Sequence, residues 1–191
     1  MKNFDVQAYG PVFAPLLTCD QRRPLDTGTP DVDARPALGK LTVDAAFANA
    51  QLSDRDMAAC CIAGVWLLHD FLDESHTISQ GIDTPSGSFW HAIMHRREGD
   101  FSNAKYWFRH VGTHPIFEKL TMRAGELAAE HGETVAGERL TAGNRWDPFA
   151  FVDLCQTAER GRDALRDLCL DIQQVEWGLL FDHCYWSAIS R

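Results

Sequence analysis

The stretch DALRDLCLDIQQVEWGLLFDHCYWSAI, residues 163–189, decides the fold class. Leu165, Leu168, Ile172, Val175, Leu179 and Trp186 recur at the period of an α-helix, and Trp177, Phe181 and Tyr185 widen the stripe. No proline interrupts the run. An apolar face this broad and this long predicts one continuous helix at the centre of a core. Outward from it, the punctuation is that of other helices. Asp147-Pro148 is a cap-and-first-turn signal for a helix to about Arg160. His114-Pro115 opens another that ends near Gly132. Asp100 caps residues 101–111, and Gly112 ends them. Pro85 opens a helix that carries Phe89 to Glu98 and stops at Gly99. Ser53-Asp54-Arg55-Asp56 has the pattern of a capping residue with an acid three positions later. Met57, Cys61, Val65, Leu68 and Leu72 then predict a helix from Ser53 to about Ser75.

Residues 77–88 and 133–146 read as irregular. So does an N-terminal arm, residues 1–40, where Pro11, Pro15, Pro24, Pro30 and Pro36 block long helices. No alternating apolar-polar run supports a strand. The expectation is therefore an all-α protein, a single domain over residues 1–191. It is an antiparallel bundle of about six helices with its helical core over 53–190 and an irregular proline-rich arm.

At 191 residues the chain can bury one good core. Its net charge of −9 argues against nucleic acid and against anionic membrane surfaces as partners. No segment has the apolar length that crosses a bilayer, and residues 1–17 lack the pattern of a signal peptide. A soluble, cytoplasmic protein is expected. The six cysteines include the adjacent Cys60 and Cys61 and the helically spaced Cys155, Cys169 and Cys184, with no C-x-x-C. They read as reduced, buried small hydrophobes rather than as thiolate ligands. There is no G-x-S-x-G elbow, no G-x-G-x-x-G and no phosphate-cradling P-loop, so the chemistry those motifs carry is not indicated.

What stands out is histidine: six of the eight lie between His69 and His114. His69, Asp73 and His76 have the spacing i, i+4, i+7, and so do His91, His95 and Glu98 on the next helix. Two such faces meeting across a short loop would bring together imidazoles and carboxylates, a donor set for a divalent metal ion. Since Thr77 begins a loop-like stretch, the metal ligands expected are His69, Asp73, His91 and His95. Glu98 is then the catalytic base that takes a proton from a metal-activated water in a hydrolysis. The third helix supplies a wall. Phe101, Ala104, Trp107, Phe108 and Val111 form its buried side, and Asn103, Tyr106 and His110 share another. Asn103, Tyr106 and His110, with Arg97 or Arg109 for a negative group, would bind a small polar or anionic molecule. Two other readings use the same residues. One is a non-catalytic module that binds a metabolite or partner without metal. The other is an interhelical polar network that stabilises one bundle or a homodimer.

The runs His69–Gln80, Trp90–Glu98 and Asn103–Arg109 resemble an uncharacterised family of bacterial helical proteins. The resemblance implies that the cluster is a site and implies no reaction. A more distant likeness is to helical-bundle metal proteins of the DinB-like kind, in which helix-borne histidines hold a metal; it is one of fold and residue type. The set there is usually three histidines, whereas here carboxylates are mixed in.

Overall fold

The computed structural model describes residues 4–161 and 163–190. The chain is all-α, 68% helical and without strands among these residues. Its α-helices are α1 Gly10–Leu17, α2 Arg35–Leu38, α3 Val43–Ala46, α4 Arg55–Leu68, α5 Leu72–Ser79, α6 Pro85–Arg97, α7 Phe101–Val111, α8 Phe117–Glu130, α9 Thr134–Leu140, α10 Pro148–Ala158 and α11 Asp163–Ala188.

The local signals account for most of these boundaries. Asp54, Thr84, Asp100 and Asp147 each turn a side-chain oxygen back onto a free N–H of the following first turn. Pro85 and Pro148 occupy the first helical position, where a missing N–H costs nothing. Helix α11 is the central element foreseen. Leu165, Leu168, Ile172, Trp177, Phe181 and Tyr185 are all buried along it. Its C-terminal half joins α1, α4 and α6 in one apolar cluster, and its N-terminal half joins α8, α9 and α10 in another. Two polar residues are buried on the same helix, Gln173 and Glu176. Glu176 is there because Arg96 of α6 reaches it at 2.5 Å while lying over the Phe151 ring of α10. Burial pushes the Glu176 carboxyl up and the adjacent guanidinium pulls it back.

Three expectations are corrected. There are more helices than about six, because short ones occupy two stretches read as irregular. Thr134–Leu140 is α9, and the arm contains α1 and α2. Pro11 sits in the first turn of α1 and Pro36 in that of α2, so these prolines start short helices rather than prevent them. The arm is also no loose cover: Phe13, Leu17 and Leu38 are core residues.

The third correction bears on the site. The helix expected over 53–75 is broken. Helix α4 stops at Leu68, Asp70 takes a left-handed φ of 62°, and α5 restarts at Leu72. The buried Asp70 carboxylate is held by Arg97 of α6 at 2.5 Å and by Arg23 of the arm. Gly28 packs so close that a Cβ there would lie 2.6 Å from an Asp70 carboxylate oxygen. Paired charges and a backbone packed against them hold a conformation that a non-glycine residue rarely adopts.

All six cysteines are free, five of them buried. No described helix is long and apolar enough to cross a membrane.

Candidate metal centre

Helices α5 and α6 are joined by a short turn that packs against Gly87 in the first turn of α6. A Cβ there would come within 2.4 Å of the Ile82 carbonyl oxygen. The turn brings the end of α5 against the middle of α6. His76 lies in the last turn of α5, and His91 and His95 stand one turn apart on α6. Each of the three can offer a ring nitrogen such that all lie within 4.8 Å of one another. The ring centroids are 4.5 Å apart for His76 and His91, 4.6 Å for His91 and His95, and 5.3 Å for His76 and His95. His91 and His95 are buried and His76 is partly exposed, so the triangle is open on the α5 side.

Each α6 imidazole has a partner on Nδ1. His91 Nδ1 is 2.9 Å from Ser79 Oγ, and Ser79 Oγ donates to the His76 carbonyl at 3.3 Å. His95 Nδ1 is 2.9 Å from Glu98 Oε2. Burial, with His95 and His76 beside it, drives the His91 pKa down to about 3. His91 is thus the neutral imidazole that a metal needs at physiological pH. The Trp107 ring covers His91 at 4.1 Å between centroids. Asn103 Nδ2 lies 3.0 Å from His95 Nε2 but also 3.5 Å from Nδ1. A donor along the in-plane Nε2 lone pair would be far from Nδ1, so the amide rests on the ring face.

The residues proposed from sequence are therefore sorted differently. His91 and His95 are in the cluster, but His69 is not. Its Nδ1 faces Asp31 at 3.0 Å and its Nε2 the Leu16 carbonyl at 2.9 Å. Both nitrogens face oxygens of the arm, and His69 is not one of the converging histidines. Asp73 is exposed in the first turn of α5 and outside the cluster. His69 is excluded because the i, i+4, i+7 spacing spans the break at Asp70, so His69 and His76 do not share a helix. Glu98 is beside the site but occupied with His95, which makes it a support for a ligand rather than a free base.

The binding wall divides as well. Arg97 is 2% exposed and committed to Asp70 and to the carbonyls of Leu67, Asp26 and Thr27. Arg109 is exposed, and it stands two residues beyond Trp107, on nearly the opposite side of α7. Lys105, on the same strip as Arg109, pairs with Asp153 of α10. No arginine of the expected anion anchor faces the histidines. Asn103 reaches the cluster directly. Tyr106 and His110 form an outer aromatic rim, their rings 4.6 Å apart and each in contact with Trp107.

Sequence reasoning passed over His76 as a ligand, Ser79 as its neighbour's partner and Trp107 as a cover. One signal for His76 was present: Asp73 and Glu74 are the acids that favour a helix N-terminus, which marks a new start near residue 72. Comparison with protein-family profiles, with curated proteins and with solved structures found no match.

Proposed function

We propose that the chain is a metalloprotein. His76, His91 and His95 would bind one divalent transition metal, zinc being the type case, and an open position would bind water or a small polar substrate. The observation that carries this is the convergence of three imidazole nitrogens within 4.8 Å. A tetrahedral site with bonds of 2.0–2.1 Å sets its ligand nitrogens about 3.3 Å apart, so modest side-chain rotation closes the triangle. Three neutral nitrogen donors suit zinc and its neighbours rather than magnesium or calcium. A metal held by three protein ligands lowers the pKa of its bound water towards about 7, the basis of metal-assisted hydrolysis. Asn103 and the Trp107 edge supply polar and aromatic contacts at the mouth. A small polar substrate fits these better than an anionic one, since Arg97 is locked away and Arg109 is on the far flank.

Elemental analysis of protein purified without a metal-affinity tag tests this. About one equivalent of metal and a zinc-dependent rise in melting temperature are expected. Both should be lost in His76→Ala, His91→Ala and His95→Ala and kept in His69→Ala. A metal-free protein whose melting temperature ignores added zinc, nickel and cobalt overturns the proposal. It would favour the interhelical polar network instead, which the Ser79–His91 and Glu98–His95 contacts also support. In that case His95→Ala would still cost about 1–3 kcal/mol.

A further inference from the structure

We propose that Ser79 and Glu98 are the positioning residues of the histidine centre. They hold His91 and His95 as Nδ1–H tautomers and thereby leave both Nε2 lone pairs for a shared ligand. The use of that arrangement rests on the metal reading above; the tautomers themselves do not.

His95 is the simpler case. Its Nδ1 lies 2.9 Å from a Glu98 carboxylate oxygen. An ionised carboxylate only accepts, so Nδ1 carries the hydrogen and Nε2 is left bare. The Asn103 amide does not take up that lone pair, because it lies over the ring face.

For His91 the partner is a hydroxyl, which can donate or accept. Ser79 has one hydrogen, and the His76 carbonyl is placed to receive it at 3.3 Å. The hydroxyl oxygen then accepts from His91 Nδ1 at 2.9 Å. The opposite tautomer would set the Ser79 hydrogen against the His91 ring instead of the His76 carbonyl, and no protein acceptor for its Nε2–H is found among the described residues.

Neutral histidine in water prefers the hydrogen on Nε2. Two adjacent imidazoles held the other way are thus a constructed state. Metal-ligating histidines characteristically give their second N–H to a carboxylate or another oxygen, which fixes the ring and raises its basicity. Ser79 does more than orient one ring. It sits one turn after His76 and bonds that residue's own carbonyl, so a single hydroxyl ties the α5 histidine to the α6 pair.

The test uses the full-length, metal-free protein labelled with 15N-histidine at neutral pH. Long-range proton–nitrogen correlation should show protonated Nδ1 and bare Nε2 for His91 and His95, assigned from single-site variants. An Nε2–H tautomer at either overturns the proposal for that residue's partner, whether or not metal binds. Zinc affinity, measured against a chromophoric chelator, provides the second arm. Ser79→Ala and Glu98→Ala should each weaken binding by about 10–100-fold with the circular dichroism spectrum unchanged. Glu98→Gln, which can still accept from Nδ1, should recover part of the loss. Wild-type affinity in both alanine variants overturns the positioning role and leaves the metal proposal standing. A wild-type protein that binds no zinc defeats the metal proposal, and the correlation spectrum alone then decides the tautomers.

Discussion

The molecule has two histidine clusters that invite comparison. His76, His91 and His95 turn toward a common space between α5 and α6. His114 and His183 meet edge to face, 4.9 Å apart, with the Phe89 and Phe117 rings against His114. In the second cluster His114 is already satisfied: Nε2 is 3.0 Å from Ser86 Oγ, and Nδ1 accepts the Ile116 N–H at 3.4 Å. Burial drives the pKa of His114 down to about 3 and depresses that of His183. Each cluster thus holds a buried histidine kept neutral by burial, His91 in one and His114 in the other. The difference is where the lone pairs go. In the second cluster both nitrogens of His114 are spent on the protein, and its ring serves as polar-tipped aromatic packing. In the first, Nδ1 of His91 and of His95 is held by Ser79 and Glu98, while one ring nitrogen of each of the three histidines lies within 4.8 Å of the others. Counting histidines does not separate a site from a core; accounting for each ring nitrogen does.

The sharpest way to break this contrast is metal stoichiometry. His91→Ala should take bound metal from about one equivalent to none, while His114→Ala leaves it unchanged. Metal lost equally from both would erase the distinction. Stability should show the reverse order of sensitivity. In metal-free protein, His114→Ala removes a ring packed among Phe89 and Phe117 and strands Ser86, costing about 2–4 kcal/mol by urea denaturation.

A smaller effect is expected with pH. His114 titrates near 3 when folded and near the ordinary 6.5 when unfolded, so the unfolded chain binds more protons between those values. This contribution is therefore intact above 6.5 and lost as pH falls through the window toward 3. The steepest slope from one such group is about 1.4 kcal/mol per pH unit. His114→Gln should flatten the acid limb of the metal-free protein, and an unchanged limb would contradict the assignment. The smallest effect should come from Asp31→Asn, which weakens the partly exposed Asp31–His69 pair. It should cost no more than about 1 kcal/mol and leave metal content intact, separating the arm's histidine from the centre.

How much of this was legible can be judged from α6. Pro85 as its first residue and Gly99 beyond its end were readable, and so was the shared face of His91 and His95. The fates of Arg96 and Arg97 were not. Arg96 and Arg97 are consecutive and look equally suited to bind an anion, but each finds a buried carboxylate, Glu176 and Asp70, on an element distant in sequence. Tyr106, Trp107 and Arg109 show the same limit: helical angle sorts them into strips, but only the packing of α7 shows which strip meets the histidines.

The sequence by itself determined that the chain is helical, that residues 163–189 run through its centre, and that histidines crowd one region. Those properties follow from periodicity, capping chemistry and composition, which act over a few residues. Only the tertiary structure decided which histidines converge. The choice turns on Asp70, whose left-handed backbone splits one helix into two, excludes His69 and admits His76. Asp70 holds that conformation because Arg23, Gly28 and Arg97, from the arm and from α6, close around it. No reading of the local run His69–His76 contains those partners.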